Sequence, residues 1–179
     1  DALLAGNNVI LKPSEHTPLI AIFIKKLWDK KIGYNEAWSI INGGGNMGQL
    51  LVESSKVDII SFTGSTVVGK KIARQCSETL KPLILELGGK DPMIILEDAD
   101  IDRAINSAIF GGLNNAGQAC ISVEEVFVDK KLYHLFCNNI ADKVRNMSAG
   151  SNASDHIGAI VTKENYKKIK DNLSEIPDD

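Results

Sequence analysis

The sequence has no apolar run near the roughly 18 residues that a bilayer span requires; even Leu19 to Trp28 is interrupted by Lys25 and Lys26. A membrane is therefore not an expected partner. It also lacks a basic field: 20 Lys and Arg stand against 23 Asp and Glu, for a net charge of -3, and the basic residues are scattered singly or in pairs. Nucleic acid is excluded on the same ground. Its three cysteines, Cys76, Cys120 and Cys137, are odd in number and show no CxxC spacing. That argues against a disulfide framework or a structural zinc, and for a reducing, cytoplasmic setting. Three histidines, His16, His134 and His156, have no paired spacing, so neither a metal site nor a Cys–His dyad is expected. Internal repeats, low-complexity tracts and an initiator Met are also missing. The expectation is a piece of something longer, with any targeting signal outside it.

What is present is a globular composition, 44% hydrophobic and 24% charged over 179 residues, enough for one domain or parts of two. Short β-branched runs alternate with helical patterns: Asn8 to Lys12, then a helix over Leu19 to Lys30, Trp38 to Ile41, a glycine-rich turn at Asn42 to Gly48, and a short helix over Gln49 to Ser54. Val57 to Phe62, a helix from Val67 to Glu78, and Pro82 to Leu87 follow. Such alternation predicts βαβ units on a parallel sheet, with ligands at the carboxyl ends of its strands. Lys12, Gly43 to Gly45, Thr63 to Thr66 and Glu86 all fall at strand ends, where one crevice would collect them. Past Gly88-Gly89 the pattern restarts with Met93 to Leu96, an acidic helix start at Glu97 to Asp102, a break at Gly111-Gly112, a strand over Glu124 to Val128, and helices over Lys130 to Met147 and Lys163 to Leu173. The expected organisation is residues 1–87 as one domain part and 88–179 as another.

Gly64-Ser65-Thr66-Val67-Val68-Gly69-Lys70 nearly completes a Walker A pattern, but Lys71 stands where the magnesium-binding hydroxyl belongs, which demotes a P-loop hydrolase to a minor alternative. A helix start with the Ser65 and Thr66 hydroxyls still suits a phosphate, and equally suits a plain cap. Lys12 offers a cation and Glu15 an acceptor for a ribose diol, unless both merely face solvent. Glu86 interrupts an apolar strand, where burial would raise its pKa into the range of a general base; the alternative is a strand-end carboxylate in solvent or paired with Lys90. Cys120 ends the small, polar stretch Asn114-Asn115-Ala116-Gly117-Gln118-Ala119 and sits where a turn could expose a nucleophile. Taken alone, such a cysteine is more often a packing residue.

Four motifs in order join these residues: Ala5-Gly6-Asn7-Asn8-Val9-Ile10-Leu11-Lys12-Pro13-Ser14-Glu15, Phe62-Thr63-Gly64-Ser65-Thr66 with Gly69, Leu85-Glu86-Leu87-Gly88-Gly89-Lys90, and Gly117-Gln118-Ala119-Cys120. In this the chain resembles the aldehyde dehydrogenase superfamily, through to about Tyr166. The resemblance implies an α/β fold: a partial Rossmann-like parallel sheet of an NAD-binding domain (1–87), followed by the first part of an α/β catalytic domain (88–179). It implies oxidation of a small-molecule aldehyde to an acid with NAD, NADP being possible, in a protein that forms a homo-oligomer. Cys120 would be the nucleophile and Glu86 the general base. Lys12 and Glu15 would hold the adenosine ribose, and Gly44, Gly64, Ser65 and Gly69 would line the cofactor path. Leu87 would make a backbone contact near the nicotinamide. Glu15 favours NAD, because a 2'-phosphate would meet its charge. Glu125 replaces an arginine common in the family. The oxyanion-hole asparagine and the second ribose-binding glutamate would lie outside this stretch, so the piece alone is expected to be inactive. A non-catalytic relative serving in binding or assembly is the alternative.

Overall fold

In each of three strand–helix–strand units the helix start is marked by a capping side chain or a proline and the two strands lie parallel. The computed structural model describes residues 1–175. Residues 1–87 and 88–179 form two compact units.

In the first unit, β1 (Val9–Leu11) pairs in parallel with β2 (Trp38–Ile40) across α1 (Pro18–Lys31). Pro18 opens α1, where its missing N–H costs nothing, and Lys30 and Lys31 close it at the negative end of the helix dipole. Trp28 meets Trp38 edge-on, with centroids 5.7 Å apart, while its indole N–H donates to the Tyr34 carbonyl. After α2 (Gly45–Glu53), β3 (Ile60–Gly64) pairs in parallel with β4 (Leu83–Leu87) across α3 (Thr66–Glu78). Val52, Ile60 and Cys76 form the buried centre, joined by Val57, Phe62, Ile72 and Leu83. The Lys81 ammonium ties α2 to the start of β4 by donating to the Val52 and Ser54 carbonyls.

In the second unit, β5 (Asp91–Ile95) pairs in parallel with β6 (Val123–Val128) across α4 (Ile101–Leu113) and a left-handed turn, and α5 (Tyr133–Arg145) and α6 (Lys163–Leu173) follow. Ile105 is fully buried, packed with Ile95, Ala104, Ala108 and Phe136. The Asp100 carboxylate caps α4 by accepting from the Arg103 N–H, and the Thr162 hydroxyl caps α6 by accepting from the Asn165 N–H.

Among the described residues the architecture is α/β with parallel strand pairing, but in three two-stranded sheets. Several local expectations need correction. The turn expected at Asn42 to Gly48 ends early, because α2 begins at Gly45 behind an extended Gly44. β3 runs on through Gly64. Gly111-Gly112 does not break α4: both lie inside it, and a side chain at Gly111 would put its Cβ 2.7 Å from Val123 Cγ2. These glycines bring helix and strand together instead of ending the helix. Glu86 is not buried. On β4 the odd residues are half-buried and the even ones exposed, so Ile84 and Glu86 face out together. The ion pairs of Lys90 go to Glu125 at 3.4 Å and Glu124 at 3.8 Å rather than to Glu86.

Candidate active site

At the end of β1 the chain turns at Pro13, and the half-buried Lys12 side chain reaches back across the unit. Its ammonium donates to the Gly43 carbonyl at 2.9 Å and to the Pro13 carbonyl at 2.8 Å, with Glu15 Oε2 3.8 Å away. Two carbonyls fix the cation and leave the exposed Glu15 carboxylate facing outward. A hydrogen bond from its own backbone N–H, and then the Lys12 charge, hold the Glu15 carboxyl below the ordinary 4.5. Gly43 must lack a side chain, because its Cβ would fall 2.8 Å from Met47 Cβ. A Cβ on Gly44 would lie 4.0 Å from Glu15 Oε1, and one on Gly45 would meet nothing within 4 Å. Lys12, Glu15 and Gly44 are thus brought to one open, charged edge at the start of α2.

The parallel register sets Thr63 opposite Glu86 and Gly64 opposite Leu87, gathering a second group at the ends of β3 and β4. The Ser65 hydroxyl caps α3 by accepting from the Val68 N–H at 3.3 Å. Its own hydrogen remains a donor, and the exposed first turn of α3 carries further N–H groups and the positive end of the helix dipole. Phe62 folds back over Gly64, whose Cβ would lie 2.5 Å from the ring. Leu87 lies against Gly69, where a Cβ would come within 2.6 Å of its methyl.

Cys120 lies on an exposed turn of the second unit, ahead of β6. Asn115, Ala116 and Gly117 before it all take left-handed φ, at 53°, 58° and 72°. For Asn and Gly this conformation is ordinary, whereas for Ala116 it costs about 1–2 kcal/mol. The strain is held from both sides. Asn115 Nδ2 donates to the Gln118 carbonyl at 3.0 Å, and Gln118 Nε2 donates back to the Asn115 carbonyl at 2.9 Å. Downstream, the buried Ser122 hydroxyl is within 3.2 Å of the Gly111 carbonyl and 3.3 Å of the Gly112 carbonyl. Asn115, Gln118 and Ser122 went unassigned from the sequence, where the stretch reads only as small and polar around one thiol. The asparagine–alanine–glycine run was the one available hint of left-handed backbone.

Two hollows of the surface lie elsewhere. One of ≈ 300 Å³ sits between β5 and α4, and a smaller one is lined by Phe110, Leu113, Met147 and His156; neither includes a candidate site residue. No group of His, Cys, Asp or Glu among the described residues is arranged to hold a metal ion. No helix among them is long and apolar enough to cross a membrane.

The sequence matches the model of the aldehyde dehydrogenase family over residues 1–178. The chain belongs to that family. Among its relatives, the betaine aldehyde dehydrogenase of Vibrio vulnificus is 34% identical over 170 residues, which cover 94% of this chain and 35% of that protein. A probable succinate-semialdehyde dehydrogenase [NADP(+)] of Sinorhizobium fredii is 38% identical, over 97% of this chain and 36% of that protein. A solved aldehyde dehydrogenase of Bacillus cereus in complex with NAD+ superposes with a TM-score of 0.89 at 37% identity, over 94% of this chain and 35% of that one. The chain therefore spans about a third of the length of the relatives it matches. Family membership also disposes of the P-loop alternative.

Proposed function

We propose that this chain carries much of the cofactor edge and the acyl-bearing thiol of an enzyme that oxidises an aldehyde to a carboxylic acid with NAD or NADP. In this reading residues 1–87 belong to the cofactor domain and residues 88–179 to the catalytic one. The single observation that carries it is Cys120, exposed on a clamped left-handed turn in a chain of this family. The printed names of the relatives, one of them with NADP(+) and one solved with NAD+, support the cofactor class.

The cofactor edge has the character such a ligand needs. Lys12 and Glu15 would hold the adenosine ribose through its hydroxyls, with Gly44 leaving the backbone open beside them. Gly64 and Ser65 would take a phosphate at the start of α3, where backbone N–H groups and the helix dipole favour negative charge. Gly69 lets the Leu87 side chain lie against α3, and the Leu87 backbone would make the contact near the nicotinamide. When bound, the cofactor supplies an acceptor for one hydride.

Cys120, as thiolate, adds to the aldehyde carbon; a C–S bond forms and the carbonyl π electrons pass to oxygen, which the Cys120 backbone N–H helps to stabilise. Loss of hydride from that thiohemiacetal leaves Cys120 carrying the acyl group as a thioester. Glu86 then takes a proton from water as the oxygen attacks the acyl carbon, and the C–S bond breaks to return the thiolate. Exposure of Glu86 on β4 leaves it open to water. We place the enzyme in a reducing, cytoplasmic compartment, as its unpaired cysteines suit, and expect the intact protein to be a homo-oligomer.

The test is turnover by the intact protein with NAD or NADP over a panel of aldehydes. Cys120→Ala should abolish it, and full turnover by that variant removes Cys120 as the nucleophile. Glu86→Gln should let acyl-enzyme accumulate, visible as an added mass on the Cys120 peptide. An unchanged hydrolysis rate removes Glu86 as the base.

A further inference from the structure

Gln118, two residues before the thiol, is half-buried, and its side chain is committed on both ends. Nε2 donates to the Asn115 carbonyl at 2.9 Å and to the Ala159 carbonyl at 3.3 Å, and Oε1 accepts from the Val161 N–H at 2.9 Å. The amide thus bridges the cysteine turn to an irregular segment more than 40 residues downstream, pairing with that backbone as a neighbouring strand would. Between Gln118 and the buried Ser122 only Ala119, Cys120 and Ile121 are left to move, and all three are exposed. The anchored amide also closes the turn in which Asn115, Ala116 and Gly117 hold left-handed backbone.

We infer that Gln118 is a positioning residue for Cys120: through its amide the 159–161 backbone fixes where the thiol and its backbone N–H sit. This rests on the reading of Cys120 as the nucleophile. A clamp of this kind acts on the geometry of attack, and a misplacement of about 1 Å at a nucleophile can lower turnover on the order of a hundredfold. Ala159 and Val161 contribute only backbone atoms, so the identity of their side chains is free while their placement is not.

The experiment compares Gln118→Met, which keeps length and loses the polar contacts, with Gln118→Glu, which keeps the acceptor for Val161 and loses the donors. Three readouts are taken on the intact protein: kcat and KM, the pH-dependent rate of iodoacetamide alkylation of the Cys120 peptide, and melting temperature. Thr162→Ala, which removes the α6 cap beside the same segment, serves as the structural control. Gln118→Met should lower kcat by about tenfold to a hundredfold, with KM for the cofactor unchanged and the alkylation profile altered. Gln118→Glu should fall between it and the native protein, and Thr162→Ala should change only the melting temperature. If Gln118→Met does not fold, Gln118→Glu decides. Native kcat and a native alkylation profile in the folded variant, with stability alone reduced, overturn the proposal. Cys120→Ala separates the two readings: turnover by that variant defeats the nucleophile assignment, whereas the dependence of alkylation on Gln118 is measured independently of turnover.

Discussion

The two units hold their candidate functional residues in opposite ways. In the first, the candidate polar groups are held by few bonds: the half-buried Lys12 rests on two carbonyls, Glu15 is exposed, and Ser65 spends only its acceptor on the α3 cap. In the second, the side chains around Cys120 are spent on backbone, with Asn115, Gln118 and Ser122 all bonded to main-chain carbonyls and three residues in left-handed conformation. A ligand held by many weak contacts tolerates a compliant edge, whereas one sulfur attacking one carbon does not. Substitutions in the first unit should therefore alter affinity and leave turnover almost alone, while those in the second should cost stability and turnover together.

The largest effect should come from Gly117→Ala. Its φ of 72° disfavours any Cβ, and that atom would meet the Gly112 carbonyl at 3.2 Å, a backbone neighbour that cannot rotate away. A loss of about 2 kcal/mol in stability and at least tenfold in kcat is expected, from denaturant unfolding and steady-state kinetics. Native stability here would break the comparison at once. Ser122→Ala should come next, costing about 1 kcal/mol for the hydrogen bond to the α4 carbonyls, again with a fall in kcat. Should kcat hold while stability falls, the clamp belongs to Gln118 alone.

How far the sequence revealed this depends on which atoms carry the structure. Caps and their helices were readable because their chemistry is local: Ser65 before α3 and the full span of α6 follow from residues within one turn. The α/β character and parallel pairing followed from strand–helix alternation. Gly111-Gly112 was misread because a glycine pair weakens a helix in isolation, and nothing near it announces that Val123 must pack there. For Glu86 burial and exposure were both left open because a run of Leu and Ile suggests burial on both faces, whereas β4 alternates half-buried and exposed and sets Glu86 in solvent. Gln118 was beyond reach for another reason: its partners are main-chain atoms 41 and 43 residues away, and any sequence supplies those. The residues named from the sequence carry chemistry of their own, whereas Asn115, Gln118 and Ser122, whose part is to hold backbone around the thiol, were not named.

In the first unit, Ser65→Ala should lose about 1 kcal/mol as an N-cap, together with a several-fold rise in KM for the cofactor. That is the smaller of the two cap-like losses in its consequence for kcat, which should stay near native. A drop in kcat as large as that for Ser122→Ala would erase the contrast between binding edge and clamped thiol.

The smallest effect on stability, and the cleanest test of the first unit, should come from Glu15→Gln. The carboxyl is exposed and held below 4.5 by its own backbone N–H and by Lys12. A lowered pKa means the folded state favours the ionised form, so its contribution is present above 4.5 and is lost only as pH falls through the lowered value. Across neutral pH the melting temperatures of Glu15→Gln and the native protein should therefore differ by a constant, small amount, the gap narrowing only on the acid side of 4.5. Cofactor binding should behave differently. Removing the charge weakens the grip on a ribose diol and relieves repulsion of a 2'-phosphate, so NAD affinity should fall several-fold while the ratio of NADP to NAD affinity rises. Calorimetric titration with both cofactors measures this directly. An unaltered ratio would mean that the Lys12–Glu15 edge does not read the ribose, and the first unit would then bind through the α3 phosphate site alone.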